Sequence, residues 1–350
     1  MGGNYGSTKE PMKKIEGNTV NWGIIGVGDV CEIKSAPAMQ LIDDSALVAV
    51  MRRDTAKAQD YAARHQVPKW YDQADDLIND ADVNAIYIAT PPYAHEELTI
   101  KAAKAGKPVY VEKPMARSFA ECNRMIAACQ EADVPLYVAY YRRCLPNFLK
   151  LRDLIRSGVI GEVRLVKIEL YKSIDPDISP APGEGRPANW RVDPNIAGGG
   201  YFYDLAAHQL DYLDFVFGPI QSATGYAGNQ ARLYSAADIV TGAFTFENGV
   251  QGVGSWCFAV DPTAEKDELT IIGSKGKLSI SFFGPPTITL EQSGRQRSEQ
   301  FDFDLSKHIQ QPLIDSIVAD ILGRGTCPST GVSAARTNWV MEEMTKGYYE

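Results

Sequence analysis

Four groups of residues in this 350-residue chain have types and spacings that could do chemistry. The first is Gly26-Val27-Gly28, which follows the apolar run NWGII and precedes a helical pattern. Glycines there let a backbone approach a pyrophosphate, and a helix N-terminus offers free N–H donors and the positive end of a dipole. Cys31 holds the third small position of the G-x-G-x-x-G pattern. A tight turn without a ligand gives the same G-x-G; the strand–helix units that follow favour the phosphate cradle. The second group is Arg52-Arg53-Asp54, at the end of the next apolar run. An acidic residue roughly 20 positions beyond the glycines would bond the ribose hydroxyls of NAD. Arg52 stands there instead, and a guanidinium suits a 2′-phosphate through forked, charge-assisted hydrogen bonds. The expected cofactor is therefore NADP, with NAD still open because Asp54 is in reach of the ribose.

The third group is Glu112-Lys113-Pro114, at the C-terminal tip of an apolar strand. Open α/β sheets bind their ligands at such tips. A lysine beside a positive nicotinamide ring would have its pKa lowered, which suits proton transfer. The tripeptide alone fits an ordinary solvated lysine equally well. The fourth group is Asp204 and His208, four residues apart behind Gly198-Gly199-Gly200. Residues at that spacing share one helical face. Histidine occurs only four times in the chain, and it is the natural acid/base near neutral pH. The pair alone also fits a core histidine bonded to a neighbouring carboxylate.

The elements that must position these groups change character along the chain. Apolar runs at residues 21–25, 47–51, 85–89, 109–111 and 136–139 read as strands. Helical patterns at 30–41, 55–65, 94–105 and 119–132 separate them. Strands apolar on both faces that alternate with helices mean a parallel sheet covered on both sides, hence a doubly wound α/β domain. After a helix at 146–157 the pattern shifts. Residues 162–171 (EVRLVKIELY) alternate apolar and polar, as a half-buried strand does. A helix at 201–217 precedes strands at 238–247, 250–258, 268–272 and 277–281, with Asn248-Gly249 as a hairpin signal. An α+β second domain with an open, mostly antiparallel sheet is expected. The expected division is a flexible tail at 1–19, a dinucleotide domain at 20–141, and a substrate and oligomerisation domain at 142–350. The Pro/Gly-rich stretch within 173–197 is expected to shape the substrate pocket.

Composition narrows the classes. The formal net charge is −9, against a protein that coats nucleic acid through a basic face. Apolar residues are 45% and charged residues 23%, ordinary for a globular chain. No apolar run reaches the roughly 18 residues of a membrane span, so no membrane partner is expected. The polar start of the chain has basic residues but no apolar h-region, so it does not read as a secretory signal. The six cysteines are scattered without zinc-ligand spacing. They fit a reducing compartment, and the cytoplasm is expected. No metal site is expected.

Together the motifs WGIIGVGDV (22–30), ATPPYAH (89–95), VEKPMA (111–116), YYRRCLP (140–146), NWRVDPNIAGGGYFYDLAAHQLD (189–211) and IIGSKGKL (271–278) resemble the Gfo/Idh/MocA oxidoreductases. The resemblance covers nearly everything from Val20 onward. It implies a Rossmann domain, an antiparallel-sheet domain, and dimers or tetramers formed through that sheet's open face. It implies that Lys113 is catalytic, with Asp204 and His208 as the substrate-binding and acid/base pair. Cofactor contacts are implied at Gly26, Gly28, Arg52, Thr90, Pro91, His95 and Glu112, with Val27, Asp29, Val30, Arg53, Pro92, Lys113 and Arg143 beside them. Trp190 and Arg191 are implied at the nicotinamide end or the sugar. The expected reaction is hydride transfer between NAD(P) and a secondary alcohol or ketone of a sugar or polyol. His208 would take the hydroxyl proton, Lys113 would polarise the oxygen, and Asp204 would hold a neighbouring hydroxyl. A cofactor-sensing regulator and an NAD-dependent glycosidase are alternative uses of the same scaffold.

Overall fold

The computed structural model describes residues 15, 17–174, 189–294 and 297–349. Most of the expected tail, and residues 175–188 of the expected pocket loop, lie outside the described residues.

The N-terminal half is built as its apolar runs require. Its strands are β1 (Val20–Ile25), β2 (Ser45–Met51), β3 (Lys69–Tyr71), β4 (Ala85–Ile88), β5 (Val109–Val111) and β6 (Leu136–Val138). They pair in parallel in the order β3-β2-β1-β4-β5-β6, the dinucleotide-binding arrangement. All four residues of β4 are buried, because helices cover both faces of a parallel sheet. These helices are α1 (Asp29–Ile33), α2 (Ala36–Leu41), α3 (Thr55–His65), α4 (Ala74–Asn79), α5 (His95–Lys104) and α6 (Phe119–Glu131).

Two features depart from expectation here. The helix expected over 30–41 is two helices, broken at Ser35, with a proline in the first turn of α2. Proline lacks the N–H that a continuous helix would need there and is tolerated in a first turn. The sheet has six strands where five were expected. The sixth, β3, is a three-residue edge with Trp70 39% exposed, and so lacks the apolar run that marks a buried strand.

Helix α7 (Pro146–Arg156) leads into β7 (Val163–Ser173). Past α8 (Pro194–Ala197) and α9 (Ala207–Phe217) come β8 (Ile220–Gly228), β9 (Ile239–Phe246), β10 (Gln251–Val260), β11 (Lys266–Gly273), β12 (Gly276–Ile280), β13 (Thr287–Gln292) and β14 (Glu299–Asp302). These form one eight-stranded sheet, ordered β14-β13-β12-β11-β7-β10-β9-β8. Every pairing is antiparallel except that of β7 with β10. One face packs on α11 (Gly331–Tyr349), and α9 meets it where Trp256 Nε1 of β10 donates to Gln209 Oε1 at 2.7 Å. The other is open, and on it Tyr226 stands 86% exposed and Val253 40%. Strand β8 was missed in the sequence because its residues QSATGYAG carry almost no apolar signal.

The chain end returns to the first sheet. Ser329 Oγ donates to Val138 O at 2.7 Å, and Asn338 Nδ2 donates to Ala116 O at 2.8 Å. α10 (Gln311–Ile321) packs on α2. The C-terminal helices therefore clamp the tips of β5 and β6, where the chemistry-bearing residues emerge.

Candidate functional site

A cleft of about 710 Å³ runs along the C-terminal ends of β1, β2 and β4, within the range of preformed small-molecule sites. Its lining includes Gly26, Val27, Gly28, Asp29, Val30, Arg52, Arg53, Thr90, Pro91, Trp190 and Arg191. Gly26 adopts φ +94°, and a Cβ there would meet Thr90 Cγ2 at 2.8 Å and Thr90 N at 3.0 Å. Only glycine fits that turn. The N–H groups of Gly26 and Val27 both donate to Met51 O, tying the loop to the end of β2. A Cβ on Gly28 would meet nothing closer than Gly26 O at 4.0 Å, so the space above Gly28 is open. That is the cradle a pyrophosphate would occupy. Arg52 reaches back over the loop, with Nη1 donating to Val27 O at 3.1 Å. Asp54 instead caps α3, accepting from Lys57 N at 3.2 Å.

Past Arg191 lies a second cluster. Lys113, on the cis Lys113–Pro114 bond at the tip of β5, ion-pairs with Asp204 Oδ1 and donates to Asp204 O at 3.0 Å. Arg191 Nε lies 3.5 Å from Asp204 Oδ2, and its guanidinium stacks on Trp190 at 4.6 Å. Asp204 sits in a π turn, Phe202–Ala206, that opens α9. Such bulges are frequent at functional sites. Burial would raise the Asp204 carboxyl, but Lys113, Arg191 and Lys34 outweigh it and hold it below the usual carboxylate range. His208, one turn on, is 4% exposed, and its Nδ1 has no hydrogen-bond partner. Its ring is flanked edge-on by Tyr140, Tyr141 and Phe283. Burial, then the charges of Arg142, Lys113 and Lys34, press its pKa well below the ordinary value. Both effects favour the neutral form of the imidazole.

Five residues expected at the cofactor do not line that cleft: Lys113, in the second cluster, and four that are buried. His95 is fully buried behind the cleft wall, bonding Thr90 O at 2.7 Å and Met115 O at 3.1 Å. It braces the loops after β4 and β5. Pro92 is buried beside it. Glu112 turns inward, accepting from Tyr87 Oη at 2.7 Å, Gln310 Nε2 at 2.7 Å and Lys113 N at 3.1 Å. Arg143 is engaged with Asp211, through Nε at 2.8 Å and Nη2 at 2.6 Å, and with Pro328 O at 2.7 Å. With its side chain 3% exposed, Arg143 is held by these partners behind the cleft. Among the described residues no His/Cys/Asp/Glu group is arranged to hold a metal ion. No helix is long and apolar enough to cross a membrane.

Gln310, Arg142 and Lys34 were not anticipated. Gln310 joins Tyr110 Oη, at 2.8 Å, to Glu112. Arg142 is buried against Tyr141, Phe282 and Phe283. Lys34 follows α1 and accepts through its carbonyl from Gln310 N at 3.2 Å. The twin arginines at 142–143 were a visible signal; nothing local marks Gln310 or Lys34.

Residues 20–140 match the family described as "Oxidoreductase family, NAD-binding Rossmann fold". Residues 148–279 match the GFO/IDH/MocA C-terminal domain. The chain is 39% identical over 323 residues to Oxidoreductase P35 of Formosa agariphila, covering 92% of this chain and 97% of that one. It is 28% identical over 297 residues to myo-inositol 2-dehydrogenase of Thermotoga maritima, covering 82% and 83%. Levoglucosan dehydrogenase, solved with NADH and levoglucosan, superposes with a TM-score of 0.81 at 19% identity over 94% of this chain and 97% of that one. That last likeness shows the fold.

Proposed function

The chain belongs to the GFO/IDH/MocA oxidoreductase family, and from that premise we propose that it moves a hydride between a nicotinamide cofactor, NADP in preference to NAD, and a secondary alcohol or ketone of a sugar or polyol. The observation that carries this reading is the Lys113–Asp204 ion pair on the same π-turn and helix as buried His208, whose Nδ1 has no hydrogen-bond partner, with Arg191 joining Asp204 to the cleft. The open space at Gly28, with Arg52 and Arg53 along the cleft, fits a phosphorylated dinucleotide. Bound there, the cofactor supplies the hydride acceptor, or in its reduced form the donor.

The chain's own groups do the rest. His208 takes the hydroxyl proton on its imidazole as the C–H bond breaks, and returns it in the reverse direction. The Lys113 ammonium donates to the reacting oxygen and stabilises negative charge there, worth most in a site shielded from water. Asp204 orients Lys113 and accepts from a neighbouring substrate hydroxyl. Absorbance at 340 nm tests the reading, with NADPH and NADH against keto-sugars, and NADP and NAD against polyols. Cofactor binding without turnover across that panel would falsify it.

Cofactor choice rests on Arg52. A hydrogen bond to a charged group contributes about 1.5–3 kcal/mol, or roughly 10–150-fold in affinity. Arg52→Ala is therefore expected to weaken NADPH by that factor and NADH by less than about threefold, read by fluorescence titration. Equal losses for both would remove the arginine from 2′-phosphate recognition.

The open face of the large sheet, with Tyr226 and Val253 exposed on it, is where we propose two or more copies associate. An exposed apolar patch on a twisted sheet invites a partner. Tyr226→Lys is expected to shift the sedimenting species to a monomer. A wild-type chain that already sediments as a monomer excludes this interface. The proposed compartment is the cytoplasm, to which six free thiols are suited.

A further inference from the structure

We propose that Gln310 is a positioning residue for the reaction: acting through Glu112, it fixes the backbone from which Lys113 reaches the substrate. The inference rests on the dehydrogenase reading for the role of Lys113, and it adds to that site a residue from the far end of the chain.

Lys113 stands where the sheet stops holding the backbone. β5 ends at Val111, which pairs with Ile88 and Val138. Glu112 N still donates to Ile88 O at 2.9 Å. Lys113 N, the next along, donates instead to Glu112 Oε2 at 3.1 Å. The other end of the lysine is held by the π turn at the head of α9, where Nζ meets Asp204. The direction in which Lys113 leaves the strand tip therefore depends on where the Glu112 carboxylate points.

That carboxylate is buried, 8% exposed, and its orientation is set at Oε1. Tyr87 Oη and Gln310 Nε2 both donate there, each at 2.7 Å. A carboxylate only accepts, so the Gln310 amide turns Nε2 towards it and Oε1 towards Tyr110 Oη, which donates at 2.8 Å. Burial holds the Tyr87 and Tyr110 hydroxyls well above their ordinary pKa, so both stay protonated and remain donors. Gln310 itself is locked. It is 1% exposed, its N–H donates to Lys34 O at 3.2 Å, and its carbonyl accepts from Leu313 N and Ile314 N where α10 begins. Without this amide, Oε1 keeps one donor, and a buried charged group short of a partner is costly. Rotation of the carboxylate towards another donor withdraws Oε2 from Lys113 N. A displacement of about 1 Å at a reacting group can cost on the order of 10²-fold in rate.

The test uses the full-length enzyme. Gln310→Leu removes both ends of the amide. With a compound of the panel that is turned over, kcat is expected to fall by about 10–100-fold. KM and NADPH affinity are expected to stay within about threefold, because Gln310 does not line the cleft. The decisive readout is the combination with Lys113→Met. A residue that acts through Lys113 has little left to do once the lysine is gone, so in that background Gln310→Leu is expected to change kcat by less than about threefold. A merely structural residue costs the same in both backgrounds. Should Gln310→Leu not fold, the exchange of Glu112→Gln with Gln310→Glu keeps the side-chain volumes. Each single substitution is expected to lose kcat, and the exchange to exceed both, since one amide again faces one carboxylate and leaves an oxygen for Lys113 N. A crystal structure of Gln310→Leu, or of Gln310→Glu in its place, reads the geometry without turnover: Lys113 N is expected to have left Glu112 Oε2, and the ammonium to have moved from Asp204 by about 1 Å or more. Wild-type kcat in Gln310→Leu, beside a crippled Lys113→Met, overturns the inference and leaves the dehydrogenase standing. Equal losses with and without Lys113, no recovery in the exchange, an unmoved Lys113 in the crystal, or a loss confined to NADPH affinity each overturns it too. A panel with no turnover strikes the dehydrogenase reading, and the crystal structure still decides whether Gln310 places Lys113.

Discussion

Lys113→Met and His208→Ala are each expected to lower kcat by about 10²–10⁴-fold, the usual loss for a positioned proton-transfer group. Affinity for NADPH is expected to stay near wild type, because neither side chain lines the cleft around Gly28, while His208→Ala also lowers the melting temperature by emptying a buried site between aromatic rings. The effect is large because His208 has no substitute. The other three histidines are engaged elsewhere: His95 with backbone carbonyls, His65 with Glu32 and His308 with Ile33 O. The pH profile gives an independent readout. Oxidation of an alcohol needs the neutral imidazole. Burial and the surrounding cations lower the His208 pKa below its ordinary 6.5, so kcat/KM for oxidation is expected to hold from neutral pH to below 6.5 and to fall only past the lowered value. Stability follows the same sign. The unfolded chain takes up a proton near 6.5 first, so the contribution of His208 is complete above that pH and is lost as pH falls towards the folded-state pKa. An acid limb centred at or above 6.5 in the wild type, or a kcat within a few-fold of wild type in either variant, sinks the assignment.

What the sequence revealed follows from the range of the forces involved. The parallel sheet was readable because both faces of β1, β2 and β4 are covered, which forces continuous apolar runs. The edge strand β3 has no such constraint and left no trace. The glycine loop, the Glu112-Lys113-Pro114 tip and the Asp204/His208 pair are local spacings, so a linear reading finds them. Which residues complete them is a matter of tertiary contact. Gln310 bonds Glu112 across 198 positions, and no pattern in either neighbourhood announces it. The residues expected at the cofactor at His95, Glu112 and Arg143 are buried, and each ties neighbouring segments together through hydrogen bonds that a linear reading does not show.

Arg143 puts that distinction to the sharpest test. Arg143→Met is expected to destabilise the fold by about 3–5 kcal/mol, the cost of breaking a buried pair and leaving one charge without its partner. Asp211 is as buried as Arg143, with side chains 2% and 3% exposed, and water cannot replace the lost guanidinium. The neighbouring Asp214 is the internal control. It is bonded at 2.8 and 2.5 Å by Arg336, which is 35% exposed, and it keeps Arg143 Nη2 at 3.9 Å, so Arg336→Met is expected to cost less than Arg143→Met. Urea unfolding of the two variants beside wild type measures the difference. Asp211 lies three residues beyond His208 on α9, while Arg143 follows Tyr140 and Tyr141, which flank the His208 ring. Folded Arg143→Met is therefore expected to lose kcat through a loosened imidazole and to bind NADPH as wild type does. A variant with wild-type stability and weakened NADPH would return Arg143 to the cofactor site; the paired hydrogen bonds to Asp211 argue that the loss falls on folding.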